Sequence, residues 1–320
     1  MPGNPRRKIV RRDRPAVYHC WNRCVRGAFL CGRDRLTGQD FSYRRDWLRT
    51  REEQLAALFA IEFSHHAEMS NHLHLVLRTR PDIARRWSRE EVARRWLTIT
   101  RLAKAMDDEV PQPDPRRVKM LMRDSKKIAK LRRRLANISW LMGVLCENIA
   151  RRANHEEQRK GKYWEERFHC RRCDSEAAVL ICGMYVDLNQ IRAGEAATPE
   201  TSRYTSAYDR IQGRRQRSPQ RKADGWLCEL TLREGLHEDR EGKYRSRTGR
   251  RASDQGLLPI ELDAYLQLLD WTGRQLRRGK RGAIPKGLAP ILDRLAIREE
   301  MLVDMLDSLD DRFGHLLGNP

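Results

Sequence analysis

Long apolar runs are missing from this chain: none approaches the ~20 residues that a membrane-spanning helix needs, so no membrane span is expected. The opening stretch, MPGNPRRKIVRRDRP, is basic but has no apolar signal core behind it. The chain therefore reads as cytoplasmic, and its eight cysteines as mostly reduced thiols. Paired zinc-finger cysteines are missing too. Cys170 and Cys173 form one C-x-x-C, no second pair follows at zinc spacing, and Cys20, Cys24 and Cys31 complete no site. No G-x-x-x-x-G-K-[ST] phosphate loop is present, which argues against a P-loop nucleotide enzyme. Acidic residues are in short supply: 44 Asp and Glu face 65 Lys and Arg, for a net charge of +21. Arginine outnumbers lysine, which suits forked contacts to phosphate oxygens. Such a balance points to a polyanionic partner, most simply nucleic acid. A basic surface kept only for solubility is the bland alternative.

What is present is enough apolar residue, 39%, to build a core across 320 residues. Residues 1–15 read as a basic disordered arm. AVYHCWNRCV (16–25) reads as a strand. Residues 45–63 start as an amphipathic helix, with Trp47, Leu48, Leu55 and Leu58 on one face, and run into a strand over about 58–67. MSN makes a tight turn, and HLHLVLRT follows as a second strand. Residues 88–99 read as a helix with Ser88 as N-cap and Glu91 three residues on. PQPDP (111–115) breaks the chain ahead of a long basic helical stretch, interrupted near Asn137. KGKYWEERFHCR (160–171) is extended and aromatic, and a helix follows from Asp174 or Ser175 to Gly194. Residues 213–256 read as a basic linker interrupted by WLCELTL, and 257–320 as a small helical C-terminal module.

Two features carry chemistry. His72 and His74 sit two apart in a strand and so share one face with Val76, while Leu73, Leu75 and Leu77 point into the core. That pair suits a metal, but standing alone it suits packing or a surface position better. In the helix over 175–194 the spacing predicts a core stripe of Ala177, Ile181, Met184, Leu188 and Ile191. Beside it runs Ala178, Cys182, Tyr185, Asn189 and Arg192, with Tyr185 and Asn189 one turn apart. An ordinary amphipathic helix with a tyrosine at its boundary would look the same.

Taken in order, HLHLVL behind MSN resembles the His-hydrophobe-His (HUH) motif of the single-tyrosine transposases. YWEERFHCR resembles the segment before their tyrosine helix, MYVDLNQIRAG that helix, and YTSAYDRI (204–211) a motif that follows it. The group most similar is the REP-associated tyrosine transposases, relatives of the smallest insertion-sequence transposases. The resemblance spans about 16–212. It implies an α+β fold, a ferredoxin-like (RRM-like) α/β sandwich with an antiparallel sheet, here with a helical insertion at about 81–137. It implies that His72, His74 and Asn189 bind Mg²⁺ or Mn²⁺ and that Tyr185 is the nucleophile. The expected partner is single-stranded DNA with hairpins, cleaved and rejoined through a 5′-phosphotyrosine at the nucleoid, and homodimers are a habit of the family. The sequence departs from the pattern in the inserted length and in Gln190, where the family usually has proline.

The chemistry is coherent with such a site. Two imidazoles and an amide are neutral ligands, so a divalent ion keeps its full charge for phosphate oxygens. Imidazoles favour Mn²⁺ over Mg²⁺. A nearby cation favours the phenolate of a tyrosine, whose ordinary pKa is about 10. The phosphodiester energy is retained in the tyrosyl link, so rejoining needs no ATP. Candidate DNA contacts are Arg192 and the KKIAKLRRR run, Lys126, Lys127, Lys130, Arg132, Arg133 and Arg134, which could as well be a solvated helix face. Tyr163, Trp164 and Phe168 are read as packing or as base-stacking groups. Glu68 and Asp187 are candidate supporting groups, and His65 and His66 bystanders. The rival functions are a non-catalytic nucleic-acid-binding regulator on the same fold and a metal nuclease that uses water.

Overall fold

A computed structural model describes residues 9–34, 37–232, 246–275 and 280–295. Alternating side chains make the strands: β1 (Ala16–Arg23), β2 (Ile61–Glu68), β3 (His72–Thr79) and β4 (His169–Cys173). They form one antiparallel sheet in the order β2-β3-β1-β4. Trp21 pairs with His74 and His19 with Val76 across β1 and β3. A bulge between Phe63 and His65 shifts the register of β2. The architecture is thus α+β, with eleven α-helices among the described residues.

One face of the sheet is mostly apolar, with Asn22 of β1 and His66 and Glu68 of β2 as its polar members. Leu73, Leu75 and Leu77 of β3 and Tyr18 and Cys20 of β1 are fully buried there. The helix α1 (Arg44–Leu58) adds Leu48 and Leu55 to the same cluster, while Trp47 and Leu58 are only partly buried. Burying the three β3 leucines alone contributes on the order of 5–9 kcal/mol. A one-residue slip of register would forfeit that and turn the histidines into the apolar layer.

Between β3 and β4 come α2 (Pro81–Arg86), α3 (Arg89–Leu102), α4 (Pro115–Arg123), α5 (Ser125–Leu135) and α6 (Ile138–Glu156). Ser88 caps α3 as expected, accepting the Glu91 N–H at 3.0 Å. The long basic stretch is broken at two points rather than one. Asp124 accepts the Lys127 N–H and Asn137 the Ser139 N–H, both at 2.8 Å, so each starts a new helix. Val118, Leu121, Ile128, Leu131 and Leu135 join the cluster under the sheet, so these helices share its core.

The tyrosine-bearing helix is α7 (Glu176–Asp187), followed after Leu188 by the short α8 (Asn189–Ala193). Ser175 caps α7 through the Ala178 N–H at 3.1 Å, and Gly194 ends α8 at φ 74°. The predicted core stripe is corrected here. Val179, Gly183 and Val186 face inward and Ile181 is 63% exposed, although Leu188 and Ile191 are buried. The reason is Gly183. A Cβ there would stand 2.6 Å from the His65 ring, so the helix rolls to bring its smallest residue against β2.

The remaining described helices are α9 (Ser206–Arg215), α10 (Leu262–Arg274) and α11 (Ile291–Arg294). The stretch read as a linker is built into the fold where it is described. Trp226 is fully buried, the Cys228 N–H donates to the Phe63 carbonyl at 2.7 Å, and Arg78 donates to the Gln255 and Gly256 carbonyls. Residues 233–245 of it lie outside the described residues. Leu257, Tyr265, Leu266 and Leu269 share a second apolar cluster with Val179, Leu188 and Ile191, so the C-terminal stretch packs on the tyrosine helix. Residues 296–320 of that module, and 1–8 of the basic arm, also lie outside the described residues, whereas Ile9 and Val10 pack against the first cluster.

Asp187 joins these parts. Its buried carboxylate accepts from the Ser206 hydroxyl, the Ala207 N–H at 3.0 Å and the Tyr265 hydroxyl at 2.6 Å. It therefore ties α7 to the start of α9 and to α10. We expect Asp187→Ala to destabilise the fold by about 2–4 kcal/mol, since it leaves buried donors unmet, as read from the urea midpoint. A loss under half a kilocalorie would refute that role.

Candidate active site

The second face of the sheet carries polar and aromatic rings. β3 presents His72 and His74, and β1 presents His19 and Trp21 at the paired positions. α7 crosses this face, packing on β2, β3 and β4, and brings Tyr185 to it. The His72 and His74 rings are 4.9 Å apart, centroid to centroid, and Tyr185 lies 5.6 Å from His74. Asn189 reaches His72 through a side-chain hydrogen bond. Its buried Nδ2 has no hydrogen-bond partner. The four residues singled out from the sequence are therefore neighbours.

A further ring was missed by sequence reasoning. His19 Nε2 lies 3.0 Å from His74 Nδ1, and the His19 ring is 6.0 Å from Tyr185. The available signal was strand alternation, which puts His19 and Trp21 on one face of β1, but nothing local says that β1 lies beside β3. Trp21 in turn stacks on His169 of β4 at 5.1 Å.

Burial sets the charge state. It pushes His72 down to about 4, with Arg23 and Lys280 adding to the shift and the Asn189 hydrogen bond opposing it. It pushes His19 down to about 4 as well, helped by Arg171. His74 is driven well below the ordinary range by burial and by His72, His19 and Lys280. All three are neutral imidazoles at pH 7, the form that binds metals. The rings are held through Nδ1: His72 Nδ1 lies 2.7 Å from Asn71 Oδ1, and His74 Nδ1 faces His19. Lys280 comes from far along the chain. The Arg281 N–H donates to the Arg192 carbonyl at 3.1 Å, which folds this segment against α8.

The other sequence candidates are distributed differently. Arg192 is buried, and its guanidinium donates to the Thr272 and Gln275 carbonyls at the end of α10. Lys126, Lys127, Lys130 and Arg133 on α5 are exposed. Arg132 donates to the Ala84, Arg85 and Trp87 carbonyls, and Arg134 lies 4.2 Å over the Trp140 ring. α5 belongs to the layer under the opposite face of the sheet, so this run does not border the histidines. With Arg11, Arg12 and Arg85 it lines a separate cleft of about 500 Å³. Tyr163, Trp164 and Phe168 are buried in the first cluster. His65 lies against Gly183 of α7, with Nδ1 2.9 Å from Ser64 Oγ. His66 and Glu68 turn to the face opposite the tyrosine, since they pair with Leu75 and Leu73.

The lowered histidines have a consequence for stability. An imidazole that is neutral in the fold down to about pH 4 but protonates near 6.5 when unfolded stabilises fully above that value. The contribution is lost as pH falls through that window. We expect the urea midpoint to drop between pH 7 and pH 5, and the drop to shrink in His19→Phe. Comparison with protein-family models, with curated proteins and with solved structures gives no match for this chain.

Proposed function

We propose that this chain is a metal-dependent endonuclease and strand transferase for single-stranded DNA, of the single-tyrosine transposase type. The observation that carries the reading is the meeting of Tyr185 with His72, His74 and Asn189 on one face of the sheet. The strand order β2-β3-β1-β4, with helices following β1 and β3, supports the ferredoxin-like form of the fold. The donors suit a divalent ion, Mg²⁺ or Mn²⁺: two neutral imidazoles and the amide oxygen of Asn189. Held by His72, His74 and Asn189, such an ion would supply Lewis-acid polarisation of the scissile phosphate.

The chain's own groups do the rest. Tyr185 is 39% exposed, so the side chain is accessible to a strand from solvent. Its oxygen bonds to phosphorus as it gives up its proton, and the bond to the 3′ oxygen breaks. The leaving 3′ oxygen takes up a proton, and a 5′-phosphotyrosine remains. Attack by a 3′-OH reverses the exchange. Arg23, Arg171 and Lys280 bias the histidine cluster toward anions. Trp21 and His169 offer a stacking surface beside it. His19 holds His74 in orientation, as groups behind a metal-binding imidazole do. Hairpin-flanked DNA and a homodimer follow from the resemblance.

The test uses labelled single strands carrying hairpins from beside the gene, with Mn²⁺, on a denaturing gel. A covalent protein–DNA adduct is expected, absent in Tyr185→Phe, with strand binding kept within about threefold. Binding without any adduct would favour the regulator, and cleavage surviving Tyr185→Phe the water-using nuclease. A second expectation concerns His19: His19→Ala should slow cleavage by about 10- to 100-fold without abolishing the adduct, whereas His74→Ala should abolish it. Equal activity of His19→Ala and the unaltered protein would remove His19 from the site.

A further inference from the structure

Beneath the opposite face of the sheet lies a second group of donors, independent of the tyrosine reading. His66 and Glu68 project from β2 toward Glu52 of α1 and Asp209 of α9, and all four side chains are buried. One ligand atom each from Glu52, His66 and Glu68 lies within 4.8 Å of the others. His66 Nδ1 is 2.8 Å from Glu68 Oε1, and His66 Nε2 is 3.1 Å from Asp209 Oδ2. Asp209 is itself neutralised by Arg49 at 2.7 Å.

The feature that needs explaining is Glu52. It is fully buried, and as a carboxylate neither of its oxygens meets a donor; only as an acid does it bond, to Glu68. Oε2 of the equally buried Glu68 meets no donor either. Two carboxylates that face each other out of water offer only acceptors, so a cation must lie between them. Protons could serve. One on Glu52 would bond it to Glu68 but leave the other Glu52 oxygen unmet, and a second would be needed on His66 Nδ1. A single divalent ion replaces both protons at the same charge and meets both carboxylates.

The surroundings match that solution. His66 Nε2–H donates to Asp209 while Nδ1 faces Glu68; a divalent ion would displace the proton between Nδ1 and Glu68 and leave the carboxylate–histidine–metal arrangement. We propose that Glu52, His66 and Glu68 form a second, structural site for a divalent transition-metal ion of the Mn²⁺ or Zn²⁺ class, with Asp209 orienting the histidine. One imidazole and two carboxylates suit these borderline ions. The ion would tie α1 to β2 and, through Asp209, to α9. The strand it steadies is the immediate neighbour of the histidine strand β3.

The experiment removes the first site before probing the second. Full-length His72→Ala/His74→Ala protein is stripped with a chelator and dialysed against Mn²⁺ and, in parallel, Zn²⁺, and bound metal is counted per chain. The same protein with Glu52→Gln and Glu68→Gln added is the comparison. With either metal, one ion more per chain is expected when the two glutamates are present. The metal should also raise the folded-to-unfolded ratio about 100-fold at about 100 times its Kd, seen as a higher Tm. Equal metal counts with and without the glutamates, for both ions, overturn the proposal. Should the glutamine protein not fold, the Tm of the His72→Ala/His74→Ala protein decides alone: no rise with either ion overturns it. Because this protein has lost the first pair of imidazoles, the outcome does not depend on whether Tyr185 forms an adduct.

Discussion

The side-chain alternation of β3 is the constraint on which the rest hangs. Leu73, Leu75 and Leu77 are committed to the apolar layer, and the same pleat forces His72 and His74 to the other side. Because β3 is an inner strand, both of its faces are covered. α1 and the helices between β3 and β4 take the leucine side, and α7 takes the histidine side. The rings are thus held by the backbone of a strand whose register is secured by hydrophobic burial. A site on such a mount keeps its geometry without needing its own side chains to stabilise it.

The layer over the histidines is set by close approach. Gly183 brings α7 down onto β2, where His65 fills the space a Cβ would need. That roll turns Ile181 out to solvent and leaves Tyr185 near His74 and half-exposed. At its C-terminal end the helix is fixed by Asp187, bonded to α9 and α10. Arg192, in the next turn, grips the last carbonyls of α10. The C-terminal segment is therefore part of what positions the tyrosine, and it returns Lys280 to the histidines.

The legible part of the site was the part with short-range periodicity. Two histidines at a spacing of two declare their shared face, and Ser88, Ser175 and Gly194 declare helix ends through local hydrogen bonding and a left-handed turn. The core stripe of α7 was misjudged because hydrophobicity alone ranks Ile181 above Gly183, whereas contact distance ranks them the other way. The basic composition of 213–256 suggested a linker interrupted by WLCELTL. The apolar residues of WLCELTL outweigh it, with Trp226, Leu227, Cys228 and Leu230 all buried. The arginines of KKIAKLRRR resembled a nucleic-acid grip, and two of them are engaged with carbonyls or with a tryptophan ring.

Sequence by itself determined the strands and most of the helices, the face each β3 side chain takes, and the excess of positive charge. These follow from sterics and periodicity over a few residues. Only the tertiary structure decided which distant groups meet: His19 beside His74, Lys280 near both histidines, and Glu52, His66, Glu68 and Asp209 together beneath the sheet. Each of those meetings depends on strand order, helix roll or chain return. Those are set by the packing of whole layers, which no local pattern encodes.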